Sequence, residues 1–141
     1  MIIQFLIGAV LILTTVIFHA FSCDFIIKKI KYITPCPLRE LKSIWKALIL
    51  SVVVFDVSCI IIIEIWIWAL TYLWIGALTG LEEALYFSIS SFTTVGFGDV
   101  VLGKDWRILS SIEATNGFIL FGWSTAFIFE IVSQVYHKNI N

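Results

Sequence analysis

The sequence predicts an all-α integral membrane protein with three transmembrane helices, a short re-entrant helix and a loop. Of its 141 residues, 60% are apolar and only 13% are charged, whereas soluble domains carry about 25% charged residues. The apolar residues are concentrated in three stretches, each long enough to cross a hydrocarbon core of about 30 Å. Segment 76–105, between the second and third stretches, is richer in Gly, Ser and Thr, and its own apolar part is too short to span.

Composition and charge exclude several other classes. A mean hydropathy of +1.03 is incompatible with a disordered chain. Nine Lys and Arg residues against ten Asp and Glu leave no basic surface for nucleic acid. The sequence contains no recognisable pairing of a nucleophile with a base, no phosphate-binding loop and no paired catalytic carboxylates. We therefore predict that the chain is not an enzyme and uses no organic cofactor.

The first predicted element is a transmembrane helix over 1–22, which carries no charge. A cleaved signal peptide is the alternative, because Ala20 to Cys23 resembles a lipoprotein cleavage site. No Lys or Arg precedes the apolar run, however, and the basic cluster at 28–31 would resist export. A retained helix is favoured, followed by a basic loop over 23–46. Within that loop, 37–46 is compatible with a short interfacial helix.

The distribution of cations predicts the orientation in the membrane. The first loop carries six cations: Lys28, Lys29, Lys31, Arg39, Lys42 and Lys46. The second loop carries two, Lys104 and Arg107. Because basic loops stay in the cytoplasm, we expect the N-terminus and segment 76–105 to lie outside and the tail, 136–141, to lie inside. The expected location is the cell membrane.

An outer helix over 47–75 and an inner helix over 107–135 flank a short helix predicted over 80–92. Thr79 to Glu82 has the Ser/Thr-x-x-Glu form of a capping box, which indicates where this short helix starts. Segment 93–99 follows it directly. Non-helical backbone at membrane depth is tolerated only when it is buried in protein or lines a water-filled cavity, so we predict a re-entrant helix and loop.

The loop reads Thr94, Val95, Gly96, Phe97, Gly98. It resembles the selectivity filter of the potassium channel superfamily, written Thr-Val-Gly-Tyr/Phe-Gly. The preceding helix, the following Asp99 and the span on each side match as well. Segment 47–135 therefore resembles a compact prokaryotic-type pore domain, to which the chain adds one N-terminal transmembrane helix over 1–22. The resemblance implies a potassium-selective channel that conducts K⁺ passively through a homotetrameric central pore.

The chemistry of such a filter follows from its residue types. K⁺ gives up its hydration shell only where oxygens at similar spacing replace the water. Successive carbonyls can point inward only if some residues adopt φ > 0, which glycine does at little cost. We expect positive φ at Gly96 and Gly98, with Val95 and Phe97 packing outward. The K⁺ ligands would be the carbonyls of Thr94, Val95, Gly96 and Phe97 and the hydroxyl of Thr94.

One chain supplies one filter strand, and an axial pore needs four. The expected partners are therefore three further copies of the chain and membrane lipid, with no nucleic acid and no large soluble partner. A non-selective cation channel and a non-conducting membrane interaction subunit are the alternative functions. The intact filter sequence argues against the first of these.

Four positions depart from the family pattern. Ser90 stands where many bacterial members have a Glu that pairs with the Asp after the filter, Phe97 replaces the commoner Tyr, and Tyr86 and Phe87 stand where Trp often occurs. We expect Asp99 to be held instead by Tyr86 or by backbone donors.

The inner helix carries the predicted cavity and gate. Gly117 falls at the family's hinge position, and close helix packing is its alternative role. By helical spacing, Phe118, Phe121, Thr125 and Phe129 share roughly one face, which by resemblance lines the cavity. Phe129 is the candidate constriction. Glu130 either concentrates cations at the inner mouth or is a solvated interfacial carboxylate.

Polar residues inside the other spans also need partners. Asp56 and Glu64 should point toward a neighbouring helix, because an ionised carboxylate facing lipid is costly. Candidate partners are Ser51, Ser58, Glu113 and Asn116, in a structural rather than a pH-sensing role. His19 is expected to make a hydrogen-bonded helix contact rather than to bind a metal. The odd number of cysteines, Cys23, Cys36 and Cys59, predicts no disulfide framework, and the first span has no cation that could sense voltage.

Overall fold

The computed structural model describes residues 2–33 and 42–136. They form four helices: α1 (Ile2–Ile33), α2 (Ser43–Trp74), α3 (Leu81–Phe92) and α4 (Arg107–Tyr136). Three of these, α1, α2 and α4, are long and apolar enough to cross a membrane, which confirms the predicted fold class. Across the two described ranges no strand occurs. Cys36, the first half of the predicted interfacial helix and nearly all of the predicted tail, from residue 137 onward, lie outside the described residues.

Helix α1 continues well beyond its predicted end at residue 22. Residues 23–33 were predicted as loop because charges appear there, but they extend the helix by three turns. Ile26 is buried in a cluster with α2 and α4, and Lys28 pairs with Asp24 one turn away, at 2.6 Å. The charges at 24–31 therefore do not mark the end of the helix.

Helix α2 begins at Ser43, four residues before its predicted start, because 43–46 contains no helix-breaking residue. It ends at Trp74 in a glycine turn. Gly76 has a φ of 68°, its amide donates to the carbonyl of Leu73 at 3.1 Å, and the amide of Ala77 donates to the carbonyl of Tyr72 at 2.9 Å. This Schellman arrangement satisfies two terminal carbonyls and turns the chain toward α3.

Helix α3 starts at Leu81, within one residue of its predicted start, but the predicted capping box does not form. Gly80 occupies the N-cap position with extended backbone, and no side chain caps the helix. Gly80 is tolerated there because its small size costs the cap only a few tenths of a kcal/mol. The amide of Ala84 closes the first turn onto the carbonyl of Gly80 at 2.9 Å.

Two buried clusters hold the helices together. One joins mainly α2, α3 and α4, and its largest members are Trp68, Tyr72, Phe87, Phe92, Leu109 and Leu120. The other joins α1, α2 and α4 toward the opposite end, through Ile26, Val53, Val57, Ile60, Ile131 and Val135. Helix α3 is therefore anchored at one end of a three-helix bundle, against α2 and α4.

The buried side of α1 is a seam of polar, small and apolar residues. Its members recur at helical spacing: Gln4, Gly8, Leu11, Thr15, His19, Cys23 and Ile26. The opposite side exposes large apolar side chains such as Phe5, Leu13 and Phe21. Helix α1 thus directs its polar groups toward α2 and α4 and leaves its apolar side exposed.

Candidate functional site

Helix α3 positions the segment that follows it. Its buried side chains, Ala84, Phe87, Ser88, Ser90 and Phe92, face α2 and α4. Glu82 and Glu83 lie in its first turn, where carboxylates interact favourably with the positive end of the helix dipole. The opposite, negative end of the dipole lies at Phe92, immediately before the loop.

The backbone of the loop alternates in handedness. Gly96 has a φ of 56° and Gly98 a φ of 81°, so the predicted positive φ at both glycines is confirmed. Thr94 has a φ of 61° as well, which was not predicted. Neighbouring carbonyls of an ordinary strand point to opposite sides, and alternation at 94, 96 and 98 permits them to point to the same side.

A positive φ at a β-branched residue is uncommon and costs about 1–3 kcal/mol. Thr94 is therefore held in its conformation by its surroundings. Its amide donates to the carbonyl of Ser91 at 2.9 Å, at the end of α3. No local motif predicts positive φ at threonine, so the sequence carried no signal for it.

Ser90 binds the loop through two of its atoms. Its carbonyl accepts the amide of Gly96 at 3.1 Å, and its hydroxyl oxygen accepts the amide of Phe97 at 3.2 Å. A short side chain at this position can reach the loop backbone directly. Ser90 therefore contacts the loop from the helix position at which many bacterial members of the potassium channel superfamily have a glutamate.

The predicted contact between Tyr86 and Asp99 is present. The Tyr86 hydroxyl donates to a carboxylate oxygen of Asp99 at 2.8 Å, and the Tyr86 ring stacks on Phe97 with 6.3 Å between centroids. This hydrogen bond lowers the pKa of Asp99 below its ordinary value of 3.8 and raises the pKa of Tyr86 above 10.0. Tyr86 thus contacts both the loop and the residue after it.

The loop is exposed within a single protomer. Residues 94–99 are all exposed, and Val95 and Phe97 keep 55% and 70% of their accessible surface. A Cβ built on Gly96 or Gly98 would have no neighbour within 4 Å. The predicted outward packing is therefore found only for Phe97, against Tyr86, and Val95 has no cover of this kind from its own chain.

The face of α4 predicted to line a cavity is also largely uncovered. Phe118, Thr125 and Phe129 are exposed. Phe121 differs, since it is partly buried and packs edge-on against Phe92 at 5.8 Å between centroids. Glu130 is exposed and accepts a hydrogen bond from Gln134 at 2.8 Å.

Gly117 contacts the end of α3. A Cβ built on it would lie 2.8 Å from the carbonyl carbon of Phe92 and closer still to the carbonyl oxygen. The obstacle is backbone, which cannot rotate away. The geometry thus supports the packing role for Gly117 that the sequence left as an alternative to a hinge.

Gly117→Ala should consequently displace α3 from α4 and destabilise the protein by about 1–3 kcal/mol, as overpacking does. Gly122→Ala is the matched control, because its Cβ would meet nothing within 4 Å and it gains the same helix propensity. Thermal unfolding in detergent compares the two variants. Equal unfolding temperatures would show that the contact with Phe92 is unimportant.

The carboxylates of α2 do point to a neighbouring helix, which is α1, but their predicted partners were wrong. Glu64 lies 2.9 Å from Nδ1 of His19, with both side chains fully buried. Lys29 donates to Asp56 at 2.7 Å and 3.1 Å. Ser51 and Ser58 instead donate to carbonyls of their own helix. His19 makes the expected helix contact.

Several hydrogen bonds between helices were not anticipated. Asn116 of α4 donates to Thr15 of α1 at 2.8 Å, and the amide of Ile108 donates to Gln4 at 3.1 Å. Glu113 accepts from Tyr72 of α2 and Ser88 of α3. The recurrence of Gln4, Thr15 and His19 on one face of α1 was the available signal.

Taken together, three potentially membrane-crossing helices and a buried polar seam define a multi-pass membrane protein. A family model described as "Ion channel" matches residues 60–134, which is more than half of the chain, and the chain belongs to this ion channel family. Comparison with curated proteins and with solved structures found no match. Ion channels move ions without chemical conversion, so the family favours the expected non-enzymatic class.

Proposed function

We propose that the protein is a potassium-selective channel, with the backbone of Thr94 to Gly98 as its selectivity filter. The observation that carries the proposal is the positive φ at Thr94, Gly96 and Gly98. This alternation lets carbonyls of consecutive residues face one ion path. The carbonyls of Thr94, Val95, Gly96 and Phe97 and the Thr94 hydroxyl would replace the water around K⁺, the transported ion.

The proposed assembly is a homotetramer. One strand supplies oxygens from one side only, whereas a dehydrated cation needs them all round, which four symmetric copies provide. The exposed loop, with its uncovered Val95 side chain, and the exposed α4 face with Phe118, Thr125 and Phe129 support this assembly. The negative end of α3 would then favour a cation in the central cavity.

The proposed setting is the cell membrane, with the filter toward the outside. The six positive residues of segment 23–46, which lie between α1 and α2 and in the facing ends of both helices, support a cytoplasmic location for that segment. K⁺ would pass down its gradient, without chemical work by the protein.

Reconstitution into liposomes under opposed K⁺ and Na⁺ gradients tests selectivity. We expect the current to reverse at the K⁺ equilibrium potential. An intermediate reversal potential would indicate a non-selective cation channel, and silence across voltages and pH values would indicate a non-conducting membrane subunit. Native mass spectrometry of the purified chain tests the assembly, with a fourfold mass as the expected result.

Acidification on the filter side should weaken the filter, and Tyr86→Phe should remove most of this dependence on pH. The Tyr86 hydrogen bond holds the pKa of Asp99 low, so its stabilisation is present above the usual carboxyl pKa and is lost as pH falls through the lowered one. Without the hydroxyl, this pKa returns toward 3.8 and the stabilisation is absent at every pH. K⁺ current recorded against pH on the filter side should therefore fall with acid in the wild type, and in the variant it should be lower near neutral pH and change less as the pH falls. Identical pH profiles would exclude Tyr86 as the partner that matters.

A further inference from the structure

A buried carboxylate joins the three helices around the proposed filter. Glu113 of α4 accepts hydrogen bonds from the hydroxyl of Tyr72 on α2 at 2.7 Å and from the hydroxyl of Ser88 on α3 at 2.5 Å. None of the three side chains has exposed surface. Burying a carboxylate is costly unless its oxygens are hydrogen-bonded, and here each oxygen accepts one hydroxyl.

The Ser88 end of this network lies two residues before the side chain that binds the filter. Ser90 accepts the amides of Gly96 and Phe97, so the height and rotation of α3 set where those amides lie. A hydrogen bond that fixes Ser88 fixes the helix to which the filter is attached.

A second contact between the same helices occurs one turn further along each of them. Gly117 follows Glu113 by four residues, and Phe92 follows Ser88 by four, and Gly117 lies against the Phe92 carbonyl. Positions four apart share one helix face. The pairs Glu113–Ser88 and Gly117–Phe92 therefore define both the rotation and the axial position of α3 on α4.

We propose that Glu113 is a positioning residue for the selectivity filter, acting through Ser88 and α3 without touching the ion. The inference rests on the proposed function, since it concerns how the same filter keeps its shape. Glutamine at this position has one accepting oxygen and an NH₂ group that can only donate, so only one of the two hydroxyls can still donate to this side chain and the other must reverse its hydrogen bond or lose it. Helix α3 is then held less firmly at Ser88, and the filter strand attached to it can relax.

Glu64 provides the matched comparison. It is also a fully buried carboxylate, but its hydrogen-bond partner is His19 of α1. A role limited to stability would make Glu113→Gln and Glu64→Gln alike. A positioning role makes only the first one change the ion selectivity.

The test uses the full chain and K⁺ alone as the ligand. Thermal unfolding in detergent is measured with K⁺ and with K⁺ replaced by Na⁺, since an ion that binds the folded state raises the unfolding temperature. We expect the K⁺-dependent increase to fall by at least half in Glu113→Gln and Ser88→Ala. It should be kept in Ser88→Thr, which retains the hydroxyl, and in Glu64→Gln, even where overall stability is lower.

Reversal potentials in liposomes provide the second readout. The permeability ratio of K⁺ to Na⁺ should drop at least tenfold in Glu113→Gln and Ser88→Ala and stay within twofold of the wild type in the two controls. Wild-type selectivity retained in both test variants overturns this inference alone. A wild-type chain that shows neither a K⁺-dependent increase nor selectivity overturns the proposed function and this inference with it. Ser88→Ala keeps the test decisive should Glu113→Gln fail to fold.

Discussion

Gly96→Ala is expected to abolish K⁺-selective conduction. Gly96 has a φ of 56°, a conformation that costs an L-residue with a Cβ about 1–2 kcal/mol. In a homotetramer the cost arises four times around one ion path. Alanine should relax toward negative φ and turn a carbonyl away from the pore. We expect K⁺ flux into liposomes to fall at least 100-fold.

Gly103→Ala is the matched control for this experiment. Gly103 lies in the segment after the filter, its Cβ would meet nothing within 4 Å, and its φ is outside the range that favours glycine. The control should conduct like the wild type. Wild-type flux and selectivity in Gly96→Ala would show that the ion path does not follow this backbone.

His19→Leu should cause the largest loss of stability. The substitution leaves Glu64 fully buried without its partner, and removing one member of a buried pair costs about 3–5 kcal/mol. It also removes the ring nitrogen that lies 3.4 Å from the Ser124 hydroxyl, so α1 loses its link to α4 at this level. Chemical denaturation in detergent measures the change in the free energy of unfolding.

Two further variants test whether the unpaired Glu64 causes this loss of stability. His19→Leu combined with Glu64→Leu should recover most of the lost stability, because an apolar replacement of both members is often neutral. Thr14→Ala should have almost no effect, since the Thr14 hydroxyl is exposed and donates to Val10 of its own helix. A double variant as unstable as His19→Leu alone would contradict the assignment of the loss to an unpaired Glu64.

The parts of the fold and site that sequence predicted are those set by neighbouring residues. Positive φ at Gly96 and Gly98 follows from glycine in an extended motif, and the Tyr86–Asp99 contact follows from the loop doubling back on the helix before it. The role of the filter residues 94–98 in binding K⁺ stays a prediction. The end of α1 was misplaced because charge was read as a helix boundary.

The parts that sequence did not predict depend on packing between distant segments. Glu64 pairs with His19, 45 residues away, and Glu113 pairs with Tyr72, 41 residues away. Several polar residues in the spans were plausible partners for either carboxylate. The choice among them depends on helix rotation and axial position, which periodicity alone does not define.

The polar seam of α1 has a consequence for biogenesis. The first helix emerges from the ribosome before its partners exist: Asn116, which binds Thr15, is made 101 residues later, and Ser124, near His19, 105 residues later. Until then, these groups face lipid or the insertion machinery without their final hydrogen bonds, which is unfavourable in hydrocarbon. Anchoring of α1 is therefore completed only by the last span, and a nascent chain arrested before α4 should be a ready substrate for membrane quality control.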